Sequence, residues 1–187
     1  MRFIADFHIH SKYSRATSKD MEVETLARWA KKKGITLLGT GDFTHPTYFA
    51  ELRAKLEPLG NGLLKLKKGD QEIRYILTSE LSNIYTQNGK VRRIHNLIFA
   101  PSFEVVEAIR SKLGNLGKLS SDGRPIFSFT AKELVKMILD ISLDCLIIPA
   151  HAWTPWFSIF GANSGFDSIE ECFGEMSSHI HAIETGL

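Results

Sequence analysis

Two rhythms of apolar residues alternate along this chain. Short continuous runs predict strands, and runs in which apolar residues recur every three or four positions predict helices. Phe3-Ile4-Ala5 is the first strand-like run. Glu22 to Lys33 then carries Val23, Leu26, Ala27 and Ala30 as one helical stripe, and Gly34 ends it. Ile35 to Leu38 predicts a short buried strand, Tyr48 to Leu56 a second helix, and Gly60 to Asp70 a polar, basic loop. Ile73 to Ser79 predicts a third strand that continues extended to Gln87. Asn88-Gly89 is a strong hairpin signal, and Val91 to Ala100 returns. Phe103 to Leu113 reads as a helix, followed by a Gly/Ser/Asp-rich loop from Gly114 to Arg124. Ala131 to Ile141 reads as another helix, with Thr130 and Glu133 at capping-box positions. Leu146 to Ala150 predicts a buried strand, Asp167 to Phe173 a short helix, and His179 to Glu184 a last strand. Strands alternating with helices, each strand followed by polar residues, argue for parallel βα units.

The polar residues after the strands carry the chemistry. In a strand alternate side chains share a face, so His8 and His10 project together. Two imidazoles on one face suit zinc or manganese. Asp6 has the same parity and is placed to hold a histidine ring from behind. The segment 39–46 carries one carboxylate, Asp42, and one imidazole, His45. With Asn88-Gly89 at the centre of the hairpin turn, His95 lies opposite Ser82 and diagonal to Glu80 on one face. His151 sits just past the strand 146–150, and Glu184 ends the last strand. In a barrel of alternating strands and helices these strand ends gather at one rim. Imidazoles and carboxylates converging there predict two or three divalent metal ions and suit phosphoester hydrolysis. Between His151 and Gly161 lies an aromatic loop with Trp153, Trp156, Phe157 and Phe160, which reads either as a platform for a flat ligand such as a nucleobase or as a self-packed lid. His179 and His181 read as surface residues. No Ser/His/Asp nucleophile elbow competes, and Gly39-Thr40-Gly41 completes no phosphate-loop or dinucleotide fingerprint.

Composition narrows the class without naming a substrate. A chain of 187 residues predicts one domain over 1–187 with a sizeable core. Hydrophobic residues make up 43% and charged residues 24%, an ordinary globular balance. A net charge of +2 does not by itself argue for nucleic acid. Lys31-Lys32-Lys33, Lys65 with Lys67-Lys68, and Arg92-Arg93 concentrate the positive charge, and a solvated surface is the plainest reading of each cluster. Cys145 and Cys172 lack a Cys-x-x-Cys spacing, and Cys145 reads as a buried free thiol. Met1-Arg2-Phe3 leads straight into the first strand, and no apolar run reaches the length of a membrane span. A cytoplasmic protein with no membrane partner is the expectation.

Taken in order, Asp6-x-His8-x-His10-Ser11, Gly41-Asp42 with His45, Ser79-Glu80, His95-Asn96-Leu97 and Ala150-His151 resemble the successive motifs of the PHP (polymerase and histidinol phosphatase) superfamily. That resemblance implies a distorted, TIM-like (β/α)7 barrel and a trinuclear site of Zn, Mn or Fe. It makes His8, His10, Glu80, His95 and His151 the expected ligands. The superfamily has His directly after the Asp of the second motif, where this chain has Phe43. His45 is the candidate replacement, so Asp42 and His45 stay open as direct ligands. The wording at 39–46, 78–82, 95–101 and 149–155 is similar to the endonuclease Q subgroup, which nicks DNA 5′ of deaminated bases and abasic sites. This implies lesion-bearing DNA as partner, with Trp153, Trp156 and Phe157 at an extruded base and Arg92 and Arg93 along phosphates. The superfamily closes its site with a last Asp-x-His motif, and none follows Glu184. A barrel incomplete at its C-terminus, the N-terminal part of a longer architecture with weakened metal binding and activity, is the expectation. The alternatives are a small-molecule phosphoesterase of the histidinol-phosphatase type and a catalytically degenerate binding domain.

Overall fold

The computed structural model describes residues 2–186. Its elements run β1 (Ala5–Asp6), α1 (Val23–Lys33), β2 (Leu37–Gly39), α2 (Pro46–Lys55), β3 (Leu56–Gly60), β4 (Leu63–Leu66), β5 (Arg74–Gln87), β6 (Lys90–Ala100), α3 (Phe103–Gly114), β7 (Ile126–Phe127), α4 (Ala131–Ile141), β8 (Leu146–Pro149) and α5 (Ile169–Phe173), followed by a 3-10 turn, Gly174–His179. The chain forms two compact units. The first holds residues 1–79 and 99–124, the second 80–98 and 125–187. The α/β class expected from the rhythm is present. The strand pairings are mixed and open, however, and no closed barrel is found among the described residues. Among those residues, no helix is long and apolar enough to cross a membrane.

In the first unit the strand order is β1-β2-β5-β4-β3. β1, β2 and β5 run parallel, with Ala5 beside Leu37 and Gly39 beside Ile76. β4 and β3 add on antiparallel. Helix α1 buries the predicted stripe of Val23, Leu26, Ala27 and Ala30. Gly34 closes it at φ 73, where its N–H reaches the carbonyls of Ala30 and Lys31. Only a residue without a Cβ takes that left-handed cap at no cost. Lys31, Lys32 and Lys33 fall in the last turn, where cations complement the helix dipole. Tyr75 is buried at the centre of the unit and donates its hydroxyl to the Val23 carbonyl at 2.8 Å.

Two readings of this unit need correction. The first strand starts later than Phe3, because Phe3 and Ile4 stay exposed and only the Ile4 carbonyl takes part, accepting from Thr36 N at 2.9 Å. The segment expected to be a loop from Gly60 to Asp70 instead completes a hairpin of β3 and β4. Its turn is Asn61-Gly62, both at positive φ (54 and 75), the same chemistry as Asn88-Gly89 (54 and 71).

In the second unit the C-terminal part of β5 and the following strand β6 flank the expected turn at Asn88-Gly89. β8 pairs with β6, and β7 pairs in parallel with β5, Ser82 beside Ile126 and Asn83 beside Phe127. Helix α4 carries the predicted capping box of Thr130 and Glu133. The two-residue β7 lies within a stretch too short to give a periodic signal. The last strand expected over 179–184 is absent. Gly174–His179 is a 3-10 turn, and the chain beyond it is irregular, held where Glu184 N donates to Pro149 O at 3.0 Å and Ala152 N to Glu184 O at 2.8 Å. His179 and His181 are exposed.

At Gly39 the neighbouring chain leaves no room for a side chain. A methyl group there would meet the Phe7 carbonyl and stand 2.6 Å from Thr78 Oγ1. Gly39→Ala is therefore expected to destabilise the chain by about 1–3 kcal/mol, the usual cost of overpacking a tight site. Urea unfolding checks this, and an unchanged midpoint would refute so close an approach.

Candidate metal centre

The first unit presents His8 and His10 just beyond β1. Their rings lie edge to face with centroids 5.4 Å apart. The strand itself ends at Asp6, so both residues lie on the irregular segment that follows it. Asp6 lines an open groove along α1 with Leu26, Trp29 and Ala30. The carboxylate found behind a histidine is that of Asp42. Its Oδ1 lies 3.0 Å from His10 Nδ1. Its Oδ2 accepts from Ser11 N at 2.6 Å, Ser11 Oγ at 2.7 Å and Ser14 Oγ at 2.9 Å. Asp42 is fully buried, and its φ of 46 is a left-handed conformation that Asp tolerates better than most residues. With both oxygens engaged inside the unit, Asp42 has the geometry of a residue that backs a ligand.

His45 is also accounted for within the protein. It is the N-cap of α2, its Nδ1 accepting from Tyr48 N at 3.4 Å, and Pro46 fills the first helical position. Its ring stacks on Tyr13 at 4.3 Å and bonds to the Ser120 backbone. Burial pushes its pKa below the usual histidine value. The structure gives His45 a capping role, for which the start signal at His45-Pro46 was visible in the sequence.

In the second unit Glu80, His95 and His151 converge, each offering a ligand atom within 4.8 Å of the others. Glu80 is buried, and its Oε1 lies 2.8 Å from His95 Nδ1 and 3.1 Å from His151 Nε2. The backbone fixes all three. β5 delivers Glu80. β6 delivers His95, whose N–H donates to Phe157 O at 3.0 Å and whose carbonyl accepts from Ala150 N at 3.0 Å. His151 follows the end of β8 at φ 32, a strained conformation that persists only when its surroundings impose it. They do so here, because its N–H donates to Glu184 Oε2 at 2.6 Å and its Nδ1 lies 3.1 Å from Thr154 Oγ1. Glu184 thus anchors the loop that carries His151. Thr154 does the same from the ring side; it was not singled out in the sequence, although it lies three residues from a predicted ligand.

The donor set fits a divalent ion. Two imidazoles and a carboxylate are borderline ligands of the kind zinc, manganese and iron accept. His95 Nδ1 is buried and makes no hydrogen bond, although it is near Glu80.

Around the triad the aromatic loop packs partly on itself and partly on His95. Phe157 packs on His95 with centroids 4.7 Å apart, and Trp153 stacks on Phe160 at 4.8 Å. Trp153 and Trp156 nevertheless stay 58% and 47% exposed. The Arg93 guanidinium stands 4.9 Å from the Trp156 ring. Arg92, expected along phosphates, is instead buried at 6% exposure, stacked on Phe166 at 4.0 Å and bonded to the Gly165 carbonyl and Glu171. Alternation along β6 sends neighbouring arginines to opposite faces, so Arg92 points inward.

Comparison with known proteins bears on the fold. No family model matches the sequence. A solved structure of endonuclease Q, in complex with a 27-mer duplex substrate with an abasic lesion at the active site, is 35% identical with a TM-score of 0.82, over 98% of this chain and 42% of that one. The lesion-specific endonuclease EndoQ from Pyrococcus furiosus is 33% identical with a TM-score of 0.80, over the same shares. A candidate metal-dependent phosphoesterase from Bifidobacterium adolescentis, 14% identical with a TM-score of 0.55 over 97% of this chain and 77% of that one, shares the fold. An uncharacterised protein of Methanocaldococcus jannaschii is 36% identical over 151 residues, 80% of this chain and 16% of that protein. The fold is accordingly that of a PHP-like phosphoesterase. Within that class the chain matches endonuclease Q along nearly its whole length, while spanning less than half of the solved endonuclease Q chains.

The capping role of His45 has a pH signature. A base whose folded pKa is lowered contributes stability that is complete above its unfolded pKa of 6.5 and is lost as pH falls through the folded value. The melting temperature should therefore drop more steeply below that pH in the wild type than in His45→Asn, where Asn still caps the helix. Parallel melting curves would assign the acid loss to other groups.

Proposed function

We propose that this chain carries the hydrolytic centre of a metal-dependent endonuclease that nicks DNA on the 5′ side of deaminated bases and abasic sites. The observation that carries the reading is the convergence of Glu80, His95 and His151, whose ligand atoms all lie within 4.8 Å of one another. The likeness to endonuclease Q, one of whose structures holds an abasic duplex, supports the choice of substrate. In this reading Glu80, His95 and His151 hold a divalent ion of zinc, manganese or iron, and within the first unit His8 and His10 serve as metal ligands. Such ions lower the pKa of a water and neutralise charge developing on the phosphate. Glu184 and Thr154 keep His151 in its strained conformation. Phe157 shields one side of His95 from water. Trp153, Trp156 and Arg93 form the substrate-facing surface, Arg93 offering a cation to the phosphodiester backbone. The site assembles in the cytoplasm, on a chain without a membrane partner.

Metal content by plasma mass spectrometry and nicking of duplexes containing an abasic site, uracil or hypoxanthine test this together. Bound metal is expected in the wild type, with less in His95→Ala and in His151→Ala. Glu184→Ala should lower metal affinity or nicking roughly 10–100-fold, the usual effect of removing a residue that orients a ligand. Phosphate release from free monoesters without nicking would instead establish a small-molecule phosphoesterase. A chain that binds damaged duplex without metal and without nicking would establish a binding domain.

A further inference from the structure

We propose that Asp42 is a positioning residue that locks His10 in a single tautomer, proton on Nδ1 and Nε2 unprotonated, a role whose use presupposes the metal-dependent reading above. A neutral imidazole carries its proton on either nitrogen, and the partner of one nitrogen decides which. Here that partner is Asp42 Oδ1, 3.0 Å from His10 Nδ1. An ionised carboxylate only accepts, so the hydrogen between them belongs to Nδ1. Nε2 is then in the form in which imidazole ligates a metal.

The carboxylate has no freedom to turn away from this task. Three donors converge on Oδ2: Ser11 N, Ser11 Oγ and Ser14 Oγ. The Ser11 N–H is backbone and cannot rotate to become an acceptor. Gly123 closes over the other side, where a methyl group would press on Asp42 Oδ2 and on Ser14 Oγ. The whole group is sealed from solvent. Oδ2 must therefore be an acceptor, and Oδ1 alone faces His10.

This arrangement makes Asp42→Asn informative, although Asn has nearly the same shape. The three donors require the amide oxygen at the Oδ2 position. The amide NH2 then occupies the Oδ1 position and donates to His10 Nδ1. His10 must accept there and carry its proton on Nε2, the nitrogen a metal would need. An almost isosteric substitution thus inverts the tautomer without emptying the site.

The test is long-range nitrogen–proton NMR of the metal-free full chain, recorded above the pH range in which histidine titrates. The His10 signals are assigned by their loss in His10→Gln. The wild type is expected to show His10 protonated on Nδ1 and Asp42→Asn to show it protonated on Nε2, with zinc affinity falling about 10–100-fold. The same tautomer in both proteins, or Nε2 protonation in the wild type, overturns the proposal. If Asp42→Asn does not fold, the wild-type spectrum still decides, and Ser14→Ala, which leaves the Ser11 donors in place, is expected to retain the Nδ1 form. A wild type with the expected tautomer that binds no zinc would defeat the metal reading while leaving the lock itself established.

Discussion

The second unit is arranged around one buried charge. Glu80 is a carboxylate removed from water, and such a group persists only with compensating partners. It has two imidazoles at 2.8 and 3.1 Å, and the rest of the unit holds them there. The β5–β6 ribbon places His95 next to Glu80. The backbone bond from Ala150 to the His95 carbonyl ties β8 to that ribbon, so His151 emerges at the correct height. Glu184 then fixes the His151 N–H, and Thr154 fixes the ring. Removing the carboxylate would leave each of these supports without a purpose.

The first unit solves a similar problem differently. Asp42 is as deeply buried as Glu80, but four hydrogen-bond donors surround it, one of them the His10 ring. Glu80 has imidazoles where Asp42 has hydroxyls and a backbone N–H. Hydroxyls and amides saturate a carboxylate and make it rigid, whereas imidazoles keep nitrogen lone pairs that a metal can share. The chemistry of the partners, rather than the depth of burial, separates a residue that holds an ion from one that holds a ligand. The same distinction divides the two arginines of β6: Arg92 is consumed by Gly165, Glu171 and Phe166, while Arg93 lies beside a half-exposed tryptophan.

Strain marks the same places. Asp42, His151 and Phe157 are non-glycine residues at positive φ, and each is at or next to a residue of the candidate centre. Such conformations are maintained by the surrounding bonds. The bonds are present in each case: the Asp42 carbonyl accepts from His45 N, Glu184 and Thr154 brace His151, and Phe157 accepts from His95 N while its own N–H reaches Ser164. The aromatic loop is thereby held with Trp153 and Trp156 exposed.

The sequence by itself determined the α/β class, the long helices with their caps, the Asn88-Gly89 hairpin and the convergence of Glu80 with His95. These depend on periodicity and turn chemistry, which act over a few residues. The register argument reached the Glu80–His95 pair because a two-residue turn fixes pairing along a whole ribbon. The β3–β4 hairpin was also legible, since Asn61-Gly62 is the same signal, but the basic residues around it resembled a loop. Three things were decided only by tertiary structure. The ladders stay open because closure depends on strands far apart in sequence. The segment 180–186 is irregular because its backbone bonds go to Pro149 and Ala152 instead of a regular ladder. The role of Asp42 and the packing of the His45 ring depended on Ser11, Ser14, Tyr13 and Ser120, partners that no local pattern connects to them. A residue's type restricts which bonds it can make, but the fold decides which partners come within 3 Å, and that choice separates a ligand, the residue that orients it and a helix cap.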